Sequence, residues 1–212
     1  AEETTEQASA LRELHLDQLV ELWRESPLLV CRRDLALLVV AYETLLRASE
    51  VARIRCSHLR ISSDGTAILT IPITKTNHSG EPDKAPLSRQ GVRVLLDYLT
   101  AAGRKLEGDQ YLFGKVTKHN NAAYVSGPLS VDTVENIFAR AWKALGLETL
   151  GIPRWSGHSA RVGASQDLAA EGYNTLEIMQ AGRWTSERMV IRYCRDILAG
   201  ESAMARRRAR KY

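Results

Sequence analysis

Apolar positions along the chain switch period twice, and each switch predicts a different kind of element. Residues 9–26, SALRELHLDQLVELWRES, set Leu11, Leu14, Leu19, Leu22 and Trp23 at helical spacings, and Pro27 closes that helix. From Leu35 to Leu46 the chain is apolar almost throughout, which predicts a helix buried on all sides and ending near Arg47. A short helical turn from Ser49 to Arg53 follows. Then SHLRISSDGTAILTIPIT, from Ser57, alternates apolar and polar residues about Asp64-Gly65, a hairpin signal. A Gly/Pro loop leads to a third short strand near Lys84–Leu87, giving a small antiparallel sheet over about 57 to 87.

From residue 88 the helical period returns. Residues 88–101 and 130–146 are amphipathic, and each opens on a serine placed to cap it. The loop between them carries an apolar insert, Tyr111-Leu112-Phe113. Three short helices are expected over 156–172, 174–182 and 185–195, separated by Gly172 and by Gly182-Arg183, with a potentially helical segment from Ile197. The fold class is therefore α+β, mostly helical, with one small antiparallel three-stranded sheet.

Composition narrows the function classes. With 212 residues, 44% hydrophobic and 25% charged, the chain suits one ordinary globular domain. No apolar run reaches the roughly 18 residues that span a bilayer, and the acidic, polar start AEETTEQASA is unlike a secretory leader. Cys31, Cys56 and Cys194 are widely separated and lack CxxC spacing, which argues against a disulfide framework or a zinc site and fits a reducing cytoplasm. The net charge of +4 is unevenly spread. Residues 1–30 hold seven acids and two bases, while the last eight residues, ARRRARKY, hold five bases and no acid. A basic body following an acidic start points to a polyanionic partner, of which nucleic acid is the commonest.

Six residues with chemistry to offer recur in a particular order. Arg47 lies in TLLRASEVARIR, Lys75 in TKT at the hairpin, and His158 with Arg161 in SGHSARVGAS. Trp184 lies in IMQAGRWTS, and Tyr193 follows nine residues later in VIRYCRD. Taken singly, each has an ordinary explanation: a helix-end arginine, a solvated lysine, a polar pair on one helix face, two packed aromatics. Taken together, in this order and these surroundings, they resemble the tyrosine recombinase (phage integrase) family, over roughly residues 34 to 204.

The resemblance implies the family's catalytic-domain fold and a site-specific DNA recombinase, with each position given a role. Arg47 and Arg161 would clamp the nonbridging oxygens of the scissile phosphate, where negative charge grows in the transition state. His158 would hydrogen-bond that phosphate and manage the nucleophile's proton. Trp184 stands where many members have histidine and some have tryptophan; its indole can only donate, which leaves His158 as the base. Tyr193 would be the nucleophile, a phenol that needs nearby cations and a proton acceptor to attack at neutral pH. Lys75 would protonate the leaving 5′-oxygen, and Glu50, one turn after Arg47, would orient the site. Two departures from the family pattern stand out: Arg183, at a position where a similar member has glycine, and Cys194 immediately after the tyrosine.

The same resemblance implies no cofactor, neither ATP nor metal, because a 3′-phosphotyrosine link conserves the phosphodiester. The implied partners are double-stranded DNA with inverted-repeat recombination sites and three further copies in a tetramer on DNA, with strands exchanged through a Holliday junction. The implied setting is the bacterial cytoplasm and nucleoid, the gene being carried by a phage, plasmid or transposon. Residues 1–30 are expected to lead in from an N-terminal DNA-binding domain not present in this sequence. Residues 31–195 would form the catalytic domain, and 196–212 an exchanging tail. Rivals within the chemistry are a type IB topoisomerase and a telomere resolvase; the rival outside it is a catalytically silent DNA-binding module. The lack of clustered carboxylates disfavours a metal-dependent nuclease.

Overall fold

A computed structural model of the chain describes residues 7–72, 80–123, 127–200 and 207–208. Helix α2 (Leu29–Thr44) runs through its middle, with Leu35 to Ala41 all buried. A helix with no polar face must be surrounded, and this one is: it packs on α1 (Glu13–Trp23), β3 (Asp83–Leu87), α4 (Arg89–Ala101), α5 (Val131–Ala144) and α6 (Ser159–Ala170). The charges that α2 takes inside are paired. Asp34 accepts from Arg33 Nε at 2.6 Å and from Arg140 Nε of α5 at 2.8 Å, and Arg33 also donates to the Gly114 carbonyl.

The sheet runs β1 (Leu59–Ile61), β2 (Ala67–Ile71), β3, all antiparallel, with Arg60, Ile68 and Pro86 side by side across it. Period-2 alternation sends Ala67, Leu69, Ile71, Ala85 and Leu87 inward. Gly65 takes the left-handed turn position (φ +86°), and Asp64 Oδ1 accepts from the Thr66 amide at 3.0 Å and its hydroxyl at 2.7 Å. Both predicted serine caps form: Ser88 Oγ accepts from Gly91 N–H at 3.0 Å, and Ser130 Oγ from Thr133 N–H at 3.2 Å. Leu112 and Phe113 are fully buried.

Two expectations need correction. Leu14 and Leu22 are 57% and 51% exposed. The buried stripe of α1 is Leu16, Leu19 and Trp23, and at 100° per residue Leu14 falls on the opposite side and Leu22 on the flank. Helix α8 (Arg188–Gly200) also begins and ends later than the pattern suggested, with Ile197 and Leu198 packed in its small apolar cluster. No helix among the described residues is long and apolar enough to cross a membrane.

Helix α6 is fixed tightly, which matters because it carries two candidate site residues. A Cβ on Gly163 would stand 1.6 Å from the Leu11 carbonyl oxygen, so only glycine lets α6 approach that strand of backbone. There the Leu11 N–H donates to the Ser159 carbonyl at 3.0 Å. One turn further, Asp167 accepts from the Glu13 N–H at 2.8 Å, the Tyr42 hydroxyl at 2.5 Å and the Arg12 guanidinium. Helices α1, α2 and α6 are thereby locked together at one carboxylate.

Candidate active site

The site grows from the way α2 ends. Leu45 is left-handed (φ 49°, ψ 35°), and the Leu46 N–H bonds back to the Ala41 carbonyl at 3.2 Å, closing the helix. Such a conformation is uncommon for leucine and strained. It turns the chain sharply into the short helix α3 (Ala48–Val51) and leaves the Leu45 carbonyl free to accept from side chains. Two arginines use it. Arg161 of α6 donates to it through Nη1, and Arg183 through Nη2 at 3.3 Å.

Glu50 organises the neighbouring cations. Its carboxylate accepts from the Arg47 backbone N–H at 2.8 Å and the Arg47 guanidinium at 2.9 Å, and Arg183 Nη2 stands 3.5 Å away. Two guanidiniums, Arg47 and Arg183, thus meet at one carboxylate, and Arg161 joins them through the Leu45 carbonyl it shares with Arg183. Arg161 is 2% exposed, and its pKa is pushed down to about 10, first by burial and then by the charges of Arg47 and Arg183; Glu50 and Tyr193 pull it back up. Arg183 is shifted down too, again mainly by burial. Arg161 remains charged at neutral pH, but at a price in like-charge repulsion that an arriving anion would relieve.

Trp184 connects this cluster to Tyr193. The Arg161 guanidinium lies 4.6 Å from the centre of the Trp184 ring, and the Tyr193 ring meets that indole edge-on with centres 5.8 Å apart. The indole is held from below by α7 (Thr175–Gly182): a Cβ on Gly182 would come within 2.1 Å of Trp184 Cζ3. The Gly182 carbonyl in turn accepts from Arg161 Nη2 at 3.0 Å. Tyr193 is half-buried on α8, where Gln166 of α6 donates to its carbonyl at 3.0 Å. Beside it, Cys194 is buried, donates to the Ser165 carbonyl at 3.3 Å and has its pKa pushed up to about 11 by burial. The thiol next to the tyrosine is a packed, unreactive group.

His158 sits at the N-terminal end of α6, one turn before Arg161 and exposed. The turn that presents it is gripped from α5, where Glu135 accepts from the Gly157 N–H at 2.9 Å. A Cβ on Gly157 would lie 2.6 Å from that of Ala48, so this turn also presses against α3. Contacts therefore link Arg47, Glu50, Arg161, Trp184 and Tyr193 into one cluster, with His158 at its α6 edge. Lys75 lies outside the described residues. Sequence reasoning gave no role to Arg183, Gly182 or the Leu45 carbonyl. The signal for Arg183 was in view, an arginine directly after a helix-ending glycine; a main-chain oxygen leaves no such signal.

A mostly helical frame flanked by a small three-stranded antiparallel sheet is the catalytic-domain fold of the tyrosine recombinases. Residues 10–197 match the phage integrase family, and the chain belongs to it. Recombinase Cre of Escherichia phage P1 is 35% identical over 211 residues, covering 97% of this chain and 62% of Cre. The chain thus spans less than two thirds of that relative's length. Among solved structures, XerA recombinase superposes with a TM-score of 0.67 at 16% identity, covering 95% of this chain and 66% of the other. XerH site-specific recombinase bound to its difH substrate gives 0.65 at 14%, covering 87% and 49%. At those identities the two structures speak for the fold.

Proposed function

We propose that the chain cuts and rejoins DNA strands at specific sites through a covalent tyrosine intermediate. One observation carries this reading: the Tyr193 ring lies against Trp184, which itself covers the buried Arg161, so that a phenol stands next to an excess of positive charge. A phosphodiester entering there would meet donors on Arg47 and Arg161 and the indole N–H of Trp184. Tyr193 Oη would attack phosphorus in line, its proton passing to His158. The bond to the 5′-oxygen breaks, that oxygen takes a proton from Lys75, and the protein keeps the DNA 3′-phosphate on tyrosine. Attack by the 5′-hydroxyl of another strand reverses each step, so the ligation needs no external energy. Cre, similar over almost the whole chain, is a recombinase, and XerH was solved on a DNA substrate. By that likeness the DNA would carry inverted-repeat sites, four copies would assemble on two of them, and exchange would pass through a Holliday junction.

The target sequence being unknown, the test begins with a pool of nicked duplexes of randomised sequence. Cleavage next to a nick releases a short fragment and traps the protein on DNA. An adduct that resists detergent is expected with the unchanged chain, absent for Tyr193→Phe, and reduced on the order of 10²–10³-fold for Arg161→Ala. Persistence of the adduct in Tyr193→Phe would rule out this nucleophile. A substrate with a bridging 5′-sulfur leaves without a proton donor, and is expected to restore Lys75→Ala but not Arg161→Ala.

A further inference from the structure

Arg183 occupies a position that suits glycine. It follows the last residue of α7 in the left-handed conformation (φ 55°, ψ 43°), where a side chain is strained and glycine is not. In return its side chain, 12% exposed, reaches back across the site. Nη1 donates to the Thr44 carbonyl at 2.9 Å, Nη2 to that of Leu45 at 3.3 Å, and Nη2 also faces Glu50 Oε2. Thr44 and Leu45 end α2, and carbonyls at a helix end have no partners within the helix, so the guanidinium caps it.

The span this side chain bridges is the one across which Arg161 hangs. The two acceptors that aim Arg161 are the carbonyls of Leu45 and Gly182. Arg183 grips the first with its side chain and follows the second directly in the chain. Both ends of the Arg161 fork are therefore referred to one residue. Both of its terminal nitrogens point to main-chain oxygens and Glu50 rather than standing as free donors for an approaching phosphate.

Resting on the strand-transfer reading above, we propose that Arg183 is a positioning residue: it staples the end of α2 to the end of α7 and so holds the Arg161 guanidinium, and the Glu50 carboxylate shared with Arg47, in the geometry that receives the scissile phosphate. Arg183→Gly is the informative variant, because glycine accepts the left-handed backbone and removes only the staple. Its melting temperature is expected to stay within about 4 °C of the parent. On a duplex enriched from the nicked pool by covalent capture with the unchanged chain, its affinity is expected to hold. Single-turnover adduct formation, however, should fall about 10- to 100-fold, as for a misplaced catalytic group. Arg183→Lys keeps the charge without the planar fork and is expected to restore little of that rate.

A second measurement requires no DNA. The slowly exchanging guanidinium N–H signals of Arg161 in nitrogen-15 NMR, identified by their loss in Arg161→Lys, should broaden or vanish in Arg183→Gly. Unchanged Arg161 signals overturn the proposal whatever the rates do. So does a full rate in Arg183→Gly, full restoration by lysine, or a loss that lies wholly in affinity. If the unchanged chain forms no adduct with any duplex, the strand-transfer reading fails, and the NMR result alone decides whether Arg183 positions Arg161.

Discussion

Gly182 leaves no room for a methyl group beneath Trp184, since its Cβ would lie within 2.1 Å of the ring. Gly182→Ala is therefore expected to tilt the indole away from Arg161 and Tyr193. Adduct formation should drop about 100-fold, and a crystal structure or the Trp184 side-chain NMR signal would show the displaced ring. Cys194 invites the opposite result. With its pKa raised to about 11 by burial, it should resist iodoacetamide at pH 8 in the native protein and react on unfolding, as peptide mass spectrometry can read directly. Legibility at this scale followed the side chains. Residue type and order together were enough to single out Arg47, Glu50, His158, Arg161, Trp184 and Tyr193 as candidates. Arg183 was visible as a departure yet its task was not, because that task depends on two helix ends meeting in space.

Helix α6 holds its place through a close backbone crossing and one carboxylate, and each can be tested alone. Gly163→Ala would drive a methyl group into the Leu11 carbonyl and is expected to lower stability by about 3 kcal/mol in urea unfolding. Asp167→Ala strips acceptors from Arg12, the Glu13 amide and Tyr42, and about 2 kcal/mol is expected for this partly exposed group. Elements were read well where a local rule decided them. The serine caps of α4 and α5 and the Asp64-Gly65 turn involve neighbours a few residues apart. The phase of α1 was misread because five apolar residues can be placed on a helix in more than one stripe. Only contact with α2 and α6 selects Leu16, Leu19 and Trp23 over Leu14 and Leu22. The Gly163 crossing joins residues some 150 apart in the chain, and no local pattern contains it.

For the molecule as a whole, charge and pH give two further tests. An acidic first segment on a basic body predicts binding to DNA that weakens steeply with salt, with a log–log slope near −0.9 per phosphate neutralised. A flat dependence between low and physiological salt would contradict an electrostatic docking. Stability should depend on two histidines used in the same way. His15 Nδ1 accepts from the Arg12 N–H at 3.0 Å and His58 Nδ1 from the Arg55 N–H at 3.2 Å. Burial, with a nearby arginine in each case, lowers both pKa values from 6.5, so the folded state prefers the neutral rings. Their contribution is complete above pH 6.5 and is lost as pH falls through the lowered folded values. The urea midpoint should decline on acidification in that window, and His15→Gln should flatten the decline.

The oxygen on which two site arginines converge belongs to the peptide bond after Leu45, and it has no codon of its own. Alanine scanning cannot remove it; Leu45→Ala would report lost burial and leave the acceptor in place. Chemical synthesis can reach it. Semisynthesis with an ester in place of the 45–46 amide weakens that carbonyl as an acceptor while keeping every side chain, at the added loss of the Leu46 N–H bond to Ala41. A drop in strand cleavage with that single-atom exchange, at a temperature where the ester protein stays fully folded, would assign a function to a part of the chain that genetics leaves invisible.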